Sequence, residues 1–301
     1  MVIGESVQAD GKTDMHVAEI GADGALIRER TIDFTFLVNS VPFVENTISI
    51  RGQAVQLNSD GNLLVLGAIQ DVTDNMVLAE LNIADLSISW AKKYGAGAST
   101  LSNKIYLDGS NNIFWSGTVT RSSSDIRLVK AGQNSLNTLF DLPIGKSDFQ
   151  ESGNDICRFG YGFAVVGTTN EKVTGPGDQD ILFKILTESG TELLSKSIAG
   201  NGDVDFKDTD TGNSICSARG GMVILGTVKI GTQDDYYLMK YDVFGNPVWD
   251  APRIFGSEKR NDAGVSVSEL SDGSLLILGN SNFGGVSTMM LMKANGEGEI
   301  E

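Results

Sequence analysis

Few side chains in this sequence belong to the types that carry nucleophilic or transition-metal chemistry. Its 301 residues include one histidine, His16, and two cysteines, Cys157 and Cys216. A Ser–His–Asp or Cys–His arrangement would depend on His16, which lies in an alternating segment typical of a strand near the surface. We therefore expect a surface histidine. Zinc or iron needs several His or Cys ligands, and the sequence has none at a suitable spacing.

The two cysteines occupy equivalent positions, four residues after Gly153 and Gly212 respectively. Equivalent positions in neighbouring repeats are expected to lie beyond the ~7 Å Cα separation that a disulfide can bridge. The sequence therefore predicts two buried thiols rather than a disulfide.

Carboxylates are abundant, and one group of them stands outside any repeated pattern. It lies on residues 202–212 and consists of Asp203, Asp205, Asp208 and Asp210. Alternating carboxylates on a loop that ends in glycine are ligands of the kind Ca²⁺ prefers, although the glutamate that closes a twelve-residue calcium loop is absent. Two hypotheses remain open, a calcium site on these four aspartates and a solvated acidic loop. No other cofactor is predicted.

Other aspartates recur at one position of the repeat, where a strand begins. They are Asp14, Asp125, Asp180 and Asp235. A residue that returns in every unit is more economically structural than catalytic, and an aspartate in this position can cap a turn by accepting backbone N–H bonds. We expect that role for them.

The repeat itself is marked by short apolar runs that end in glycine, about 50 to 63 residues apart. These glycines are Gly4, Gly67, Gly117, Gly167, Gly226 and Gly279. Each unit reads as four short strands separated by turns such as Asp60–Gly61 or Asp272–Gly273, which are typical of hairpins. Residues 76–86 have helical composition, but their place in the repeat predicts a strand.

Four antiparallel strands repeated about six times predict an all-β fold, a six-bladed β-propeller with four strands per blade. A long solenoid is the alternative, but its coils are shorter and would leave open sheet edges. The first unit begins at its second strand and the last ends after its third, so we expect both terminal blades to be incomplete in this chain. Truncation of the natural protein upstream would explain the abrupt start. No linker interrupts the pattern, and residues 1–301 are predicted to form one domain.

Aromatic residues fall into two groups. Trp90, Phe140 and Trp249 recur in the fourth segment and predict packing between blades, whereas Trp115 stands where other units have Val or Ile and predicts core filling.

The net charge limits the classes of partner that we expect this protein to bind. The net charge is −16, so nucleic acids and anionic membrane surfaces are expected to be repelled. No apolar run is long enough to cross a bilayer as a helix, and no signal segment is visible.

The assembled unit, best seen over residues 235–249 and 261–279, resembles the repeat of bacterial secreted or lipid-anchored β-propeller proteins. Residues 242–249 are also distantly similar to the tryptophan-docking motif of quinoprotein-like propellers, with one residue fewer between Asp242 and Gly245. The resemblance implies a propeller outside the cytoplasm and supplies no catalytic residues.

These observations predict a monomeric, extracytoplasmic binding or scaffold module without enzymatic activity, which uses one face for a protein or carbohydrate ligand. The non-repeating loops at residues 33–47, 173–178 and 201–210 are where a ligand is expected. The alternative is a carbohydrate-active hydrolase or lyase, which would need two carboxylates in a cleft with aromatic walls.

Overall fold

The computed structural model describes residues 1–9, 11, 13–32, 36–38, 41–43, 49–70, 75–94, 100–120, 123–132, 137–160, 162–171, 179–199, 209–257 and 259–300. Over these ranges the regular elements are all β-strands. None of the described segments forms a helix that could span a membrane.

The first three repeats form three antiparallel sheets and a small hairpin. The first sheet contains β1 (Val2–Val7), β2 (Thr13–Ile20) and β3 (Leu26–Ile32), and the hairpin contains β4 (Phe36–Val38) and β5 (Val41–Phe43). The second contains β6 (Ser49–Leu57), β7 (Leu63–Gln70), β8 (Asn75–Leu81) and β9 (Ile88–Tyr94). The third contains β10 (Thr100–Leu107), β11 (Asn112–Thr120), β12 (Ser124–Gly132) and β13 (Thr138–Ile144). The strand predicted within residues 76–86 is confirmed as β8.

The last three repeats form three more sheets. The fourth contains β14 (Glu151–Phe159), β15 (Gly162–Thr169), β16 (Asp180–Thr187) and β17 (Glu192–Ile198). The fifth contains β18 (Thr211–Ala218), β19 (Gly221–Ile230), β20 (Gln233–Tyr241) and the short β21 (Arg253–Phe255). The sixth contains β22 (Asn261–Glu269), β23 (Leu275–Phe283) and β24 (Val286–Ala294). The prediction of three-stranded first and last blades is confirmed.

Contacts divide the chain into two compact units. One comprises residues Met1–Arg121 and Arg127–Pro143, and the other comprises Ser122–Ile126 and Ile144–Glu301. The two cavities described below both belong to the second unit.

The repeated glycines mark a β-bulge. In four sheets the glycine of the first strand pairs with the marker glycine of the second, and the register shifts immediately afterwards. These pairs are Gly52–Gly67, Gly153–Gly167, Gly212–Gly226 and Gly264–Gly279. At Gly167 a Cβ would overlap the carbonyl oxygen of Ser152. The sequence keeps glycine there because the bulged strand approaches too closely for any side chain.

The first-strand glycines also explain how neighbouring sheets pack. A Cβ at Gly212 would lie 2.9 Å from the carbonyl oxygen of Gly167, and one at Gly264 would lie 3.0 Å from that of Gly226. The fifth and sixth sheets therefore each place a first-strand glycine against the marker glycine of the preceding sheet.

Turn capping is seen at an aspartate outside the predicted set. Asp242 accepts the backbone N–H groups of Phe244 and Asn246, both at 2.8 Å, in the turn after β20. By contrast, Asp14 accepts a bond from the side-chain amide of Gln8, and Asp180 accepts one from the hydroxyl of Ser197. Neither of these two bonds is to a backbone N–H group, and turn capping by the four strand-three aspartates stays a prediction.

The buried cores contain the aromatic residues largely as predicted. Trp115 is fully buried and meets the edge of Tyr94 at a centroid distance of 4.7 Å. Trp249 is buried beside the turn at Gly298 of the sixth sheet. Cys157 is buried and Cys216 half-buried, and these two described cysteines form no disulfide.

The last strand leaves much of its apolar surface in water. Met289 is 73% exposed and Leu291 is 65% exposed on β24. Among the described strands, β24 pairs with β23 alone. It is therefore an edge strand with an apolar outer face.

Candidate functional site

The predicted calcium ligands are only partly described. Asp203, Asp205 and Asp208 lie outside the described residues. Asp210 is buried, and its Oδ1 accepts the backbone N–H of Lys229 at 3.0 Å. Among the described residues, no three His, Cys, Asp or Glu side chains come together as a metal site. Calcium binding remains a prediction.

His16 lies on β2 with a partly exposed side chain. Its Nε2 is 3.1 Å from Oε2 of Glu29 on β3, and its Nδ1 is 3.4 Å from the hydroxyl oxygen of Thr31. These contacts are cross-strand surface pairs, which confirms the prediction of a surface histidine.

A cavity of about 360 Å³ opens between the fifth and sixth sheets, within the second unit. We call it the aromatic pocket. It is lined by Tyr236, Phe255, Gly256, Ser257, Arg260, Asp262, Ser281, Met290, Met292 and Ile300. Its volume is within the usual range of ligand sites, roughly 300–1,000 Å³.

Strand alternation gives the aromatic pocket an apolar wall. Tyr236 on β20 and Phe255 on β21 are cross-strand partners, and their rings stack with centroids 5.2 Å apart and planes 25° apart. Met290 and Met292, two residues apart on β24, point to the same side because successive side chains alternate along a strand. The wall therefore combines an aromatic stack with two flexible thioethers.

The polar side of the aromatic pocket is formed where β22 and β23 pair. Asp262 and Ser281 are directly opposite each other in this pair, and both are buried. Oδ2 of Asp262 accepts the backbone N–H of Ser257 at 2.7 Å. Tyr236 donates its hydroxyl to the carbonyl of Asn280 at 3.0 Å. Burial, together with the nearby Asp262 carboxylate, raises the pKa of Tyr236 to about 12, so this hydroxyl stays protonated at neutral pH.

A second carboxylate lies behind the aromatic pocket. Oxygens of Asp235 and Asp262 both lie within 3.0 Å of the position that a Cβ would occupy on Gly256. Burial and the charge of Asp262 raise the pKa of Asp235. Gly256 has no side chain, so the two carboxylates converge on the position that a Cβ would take there, but only Asp262 of this pair lines the cavity.

Arg260 supplies an exposed cation at the rim. Its guanidinium lies 5.7 Å from the ring centre of Phe283. Together these groups offer what a sugar needs: an aromatic and thioether surface for C–H faces, and a carboxylate, a hydroxyl and a guanidinium for ring hydroxyls.

The repeat contains a signal for Asp262 that the interpretation of the sequence missed. An acid stands two residues before the first-strand glycine in the last three sheets, as Glu151, Asp210 and Asp262. Spacing alone did not show which of these acids borders a cavity, because that depends on the connection preceding the strand.

Comparison with known proteins identifies the fold. No protein-family model matches the sequence, and no curated protein matches it. An ulvan lyase from a new family of polysaccharide lyases is similar in structure, with a TM-score of 0.58 and 10% identity over 99% of this chain and 78% of that chain. A protein of unknown function from Dyadobacter fermentans has a TM-score of 0.57 and 9% identity over 99% of this chain and 95% of that one.

A neuraminidase-like protein of A/little yellow-shouldered bat/Guatemala is also similar, with a TM-score of 0.56 and 8% identity over 94% of this chain and 86% of that chain. The chain has the six-bladed β-propeller fold predicted from its repeat. At these identities the likeness establishes the fold alone. The predicted similarity to lipid-anchored and quinoprotein-like propellers stays a prediction.

Proposed function

We propose that this protein is a non-catalytic glycan-binding module and that the aromatic pocket holds one sugar unit. The observation that supports this most directly is the joining of the Phe255 and methionine wall to buried Asp262 and Ser281 in one cavity. Sugars present an apolar face and a polar rim, and the two sides of this cavity match them.

Charge favours a neutral glycan. The chain has a net charge of −16, and an acidic polysaccharide would be repelled by that field. Among the described residues, Arg260 is the one basic residue that lines the aromatic pocket. A neutral sugar avoids the repulsion and still uses Arg260 as a hydrogen-bond donor.

One structural neighbour is a polysaccharide lyase, so the alternative to binding is catalysis on a carbohydrate. Glycoside hydrolysis by two carboxylates requires them to flank the scissile bond, about 5 to 10 Å apart. Here Asp262 is the one acid among the described residues that line the aromatic pocket. This geometry supports binding rather than hydrolysis in the aromatic pocket.

A panel of neutral and acidic oligosaccharides on a glycan array, followed by calorimetry, tests the proposal. Phe255→Ala and Arg260→Ala are each expected to weaken binding by about tenfold or more, because each removes a main contact. Phe244→Ala is the matched control, since Phe244 is 76% exposed on a turn and does not line the aromatic pocket. Equal binding by all three variants would rule the pocket out.

An assay for products separates binding from catalysis. Incubation of bound polysaccharides should release neither new reducing ends nor unsaturated sugars. Product formation that disappears in Asp262→Asn would replace the binding proposal with a hydrolase or lyase.

We further propose a monomer that works outside the cytoplasm. The support is the resemblance of the repeat to secreted and lipid-anchored propellers. Fractionation of cells that produce the natural protein tests the location, and light scattering tests the monomer. Melting with and without a chelator tests the calcium hypothesis, because an ion bound to the folded state raises Tm.

A further inference from the structure

A repeated charge pair links the first hairpin of a sheet to its third strand. In the third sheet, Nζ of Lys130 lies 3.4 Å from Oδ2 of Asp108. In the sixth sheet, Nζ of Lys293 lies 3.5 Å from Oδ2 of Asp272. In the second sheet the strand residue is Glu80, and Asn58 donates to it at 2.8 Å from the equivalent hairpin. In each of these three sheets, the third-strand residue therefore has a hairpin partner: an aspartate for each lysine and an asparagine for Glu80.

The fifth sheet breaks this rule at Lys240. Lys240 is opposite Val223, three residues before the marker glycine, just as Lys293 is opposite Leu276. The hairpin that should provide an acid instead reads Arg219–Gly220–Gly221. No carboxylate oxygen of a described residue lies within 4.0 Å of the Lys240 ammonium. Lys240 thus has the same repeat position as Lys293 but lacks the hairpin carboxylate that pairs with Lys293.

Lys240 and Arg219 line one polar cavity of about 390 Å³ at the hairpin-turn end of the fifth and sixth sheets. The Lys240 side chain is half-buried at the wall of this cavity. Arg219 is fixed in place because its guanidinium donates to the carbonyls of Ser271 and Asp272 in the next hairpin. Lys293 also lines this cavity, so three cations of the described residues border the same space.

Three acids also line this cavity, and two of them have partners within it. Asp272 pairs with Lys293 and accepts the hydroxyl of Ser274 at 2.5 Å. Oε1 of Glu269 accepts the backbone N–H of Arg219 at 2.9 Å. Glu297 is exposed at the rim. The ammonium of Lys240 is the cation left with donors to spare.

We propose that Lys240, with Arg219 beside it, binds a single oxyanion group of a ligand: a carboxylate, a sulfate or a phosphate. The anion takes the place of the hairpin aspartate that the third and sixth sheets provide, and it accepts charge-assisted hydrogen bonds from the ammonium. This site lies at the opposite end of the strands from the aromatic pocket and does not depend on glycan binding there.

Calorimetric titration at low ionic strength with inorganic sulfate, inorganic phosphate and glucuronate tests the proposal, and the three arms distinguish the sources of the oxyanion. At least one should bind saturably, and glucose should not compete with it. Lys240→Met should weaken that binding about tenfold or more, the loss expected for one hydrogen bond to a charged group. Lys240→Arg, which keeps the charge, should retain most of the affinity.

Lys259→Met is the matched control, because it removes the same charge from an exposed lysine outside this cavity. Its affinity should equal that of the unmodified protein. The proposal is overturned if Lys240→Met binds all three anions as the unmodified protein does, or if none of the anions saturates. Phe255→Ala should leave anion binding unchanged, so that failure of this site and failure of the glycan site are distinguishable.

Discussion

Two lysines that look equivalent in the sequence, Lys184 and Lys240, have opposite environments. Lys184 is fully buried in the fourth sheet, with Nζ 2.8 Å from Oε2 of Glu192 and 3.5 Å from Oε2 of Glu151. Lys240 in the fifth sheet borders a polar cavity and has no carboxylate of the described residues within 4.0 Å. One lysine completes a closed core, and the other faces an open site.

The difference comes from one residue of register. Lys184 is opposite Val165, two residues before the marker glycine, whereas Lys240 is opposite Val223, three residues before it. A shift of one residue along a strand places a side chain on the other face of the sheet. Residues aligned by sequence spacing can therefore face different neighbours, and strand pairing decides which.

The largest effect is expected for Lys184→Met. Burial raises the pKa of Glu151 and the Lys184 charge opposes that rise, so removal of the lysine leaves a buried acid uncompensated. We expect a loss of about 3 to 5 kcal/mol in the free energy of unfolding, measured by urea denaturation. The double variant with Glu151→Gln should recover much of the loss. Equal stability of Lys184→Met and the unmodified protein would contradict the closed-core interpretation.

A second large effect tests the close packing of the same sheet. Gly167→Ala would place a Cβ against the carbonyl oxygen of Ser152, which should cost about 2 to 3 kcal/mol by overpacking. Gly4→Ala is the control, because Gly4 is the marker glycine of the first sheet and nothing lies within 4 Å of its Cβ position. Denaturation of both variants checks the pair, and similar losses would show that the bulge is not the reason for the glycine.

A smaller effect of opposite sign is expected for Asp235→Asn. Burial and the Asp262 charge raise the pKa of Asp235, so ionisation of this group destabilises the fold. The penalty is absent below the ordinary carboxyl pKa and complete above the raised one. Asparagine should therefore raise the free energy of unfolding at neutral pH by less than about 1 kcal/mol, since solvent screens the pair, and should lose this advantage in acid.

Melting curves across pH measure the effect of Asp235→Asn. Asp250→Asn removes the same charge from an exposed turn and is expected to show no such pH-dependent gain. A gain that persists unchanged in acid would show that ionisation of Asp235 is not its cause.

The smallest effect on stability is expected for Lys240→Met. Because no described carboxylate pairs with this lysine, its removal should change the free energy of unfolding by less than about 0.5 kcal/mol. The same denaturation series measures it beside Lys184→Met. A loss as large as that of Lys184→Met would mean that Lys240 is structural.

The repeat made the fold predictable. The marker glycines located each second strand, and their pairing with Gly153 or Gly212 is the bulge that a fixed glycine in a strand favours. The incomplete first and last sheets followed from the order of the segments. Because the same pattern of strands and turns occurs in six units, the strand assignment of each unit could be checked against the others.

The candidate sites were less predictable. Lys184 and Lys240 both follow an aspartate that opens a third strand, but Lys184 lies four positions after Asp180 and Lys240 lies five positions after Asp235. This difference of one position in the sequence corresponds to the difference in strand register between the two lysines. The aromatic pocket could not be foreseen because it depends on the connection between β20 and β22. There Pro247 and Pro252 provide no backbone N–H, and the fourth strand is three residues long.

The exposed face of β24 has a consequence for the colloidal behaviour of the protein. Its outer row of backbone donors and acceptors, which no other described strand pairs, lies beside Met289 and Leu291 and is a template for pairing with another copy of the chain. At low ionic strength, repulsion between molecules of charge −16 opposes that contact. Added salt shortens the reach of the repulsion to about 3 Å at 1 M, so concentrated solutions should associate as salt is raised rather than disperse.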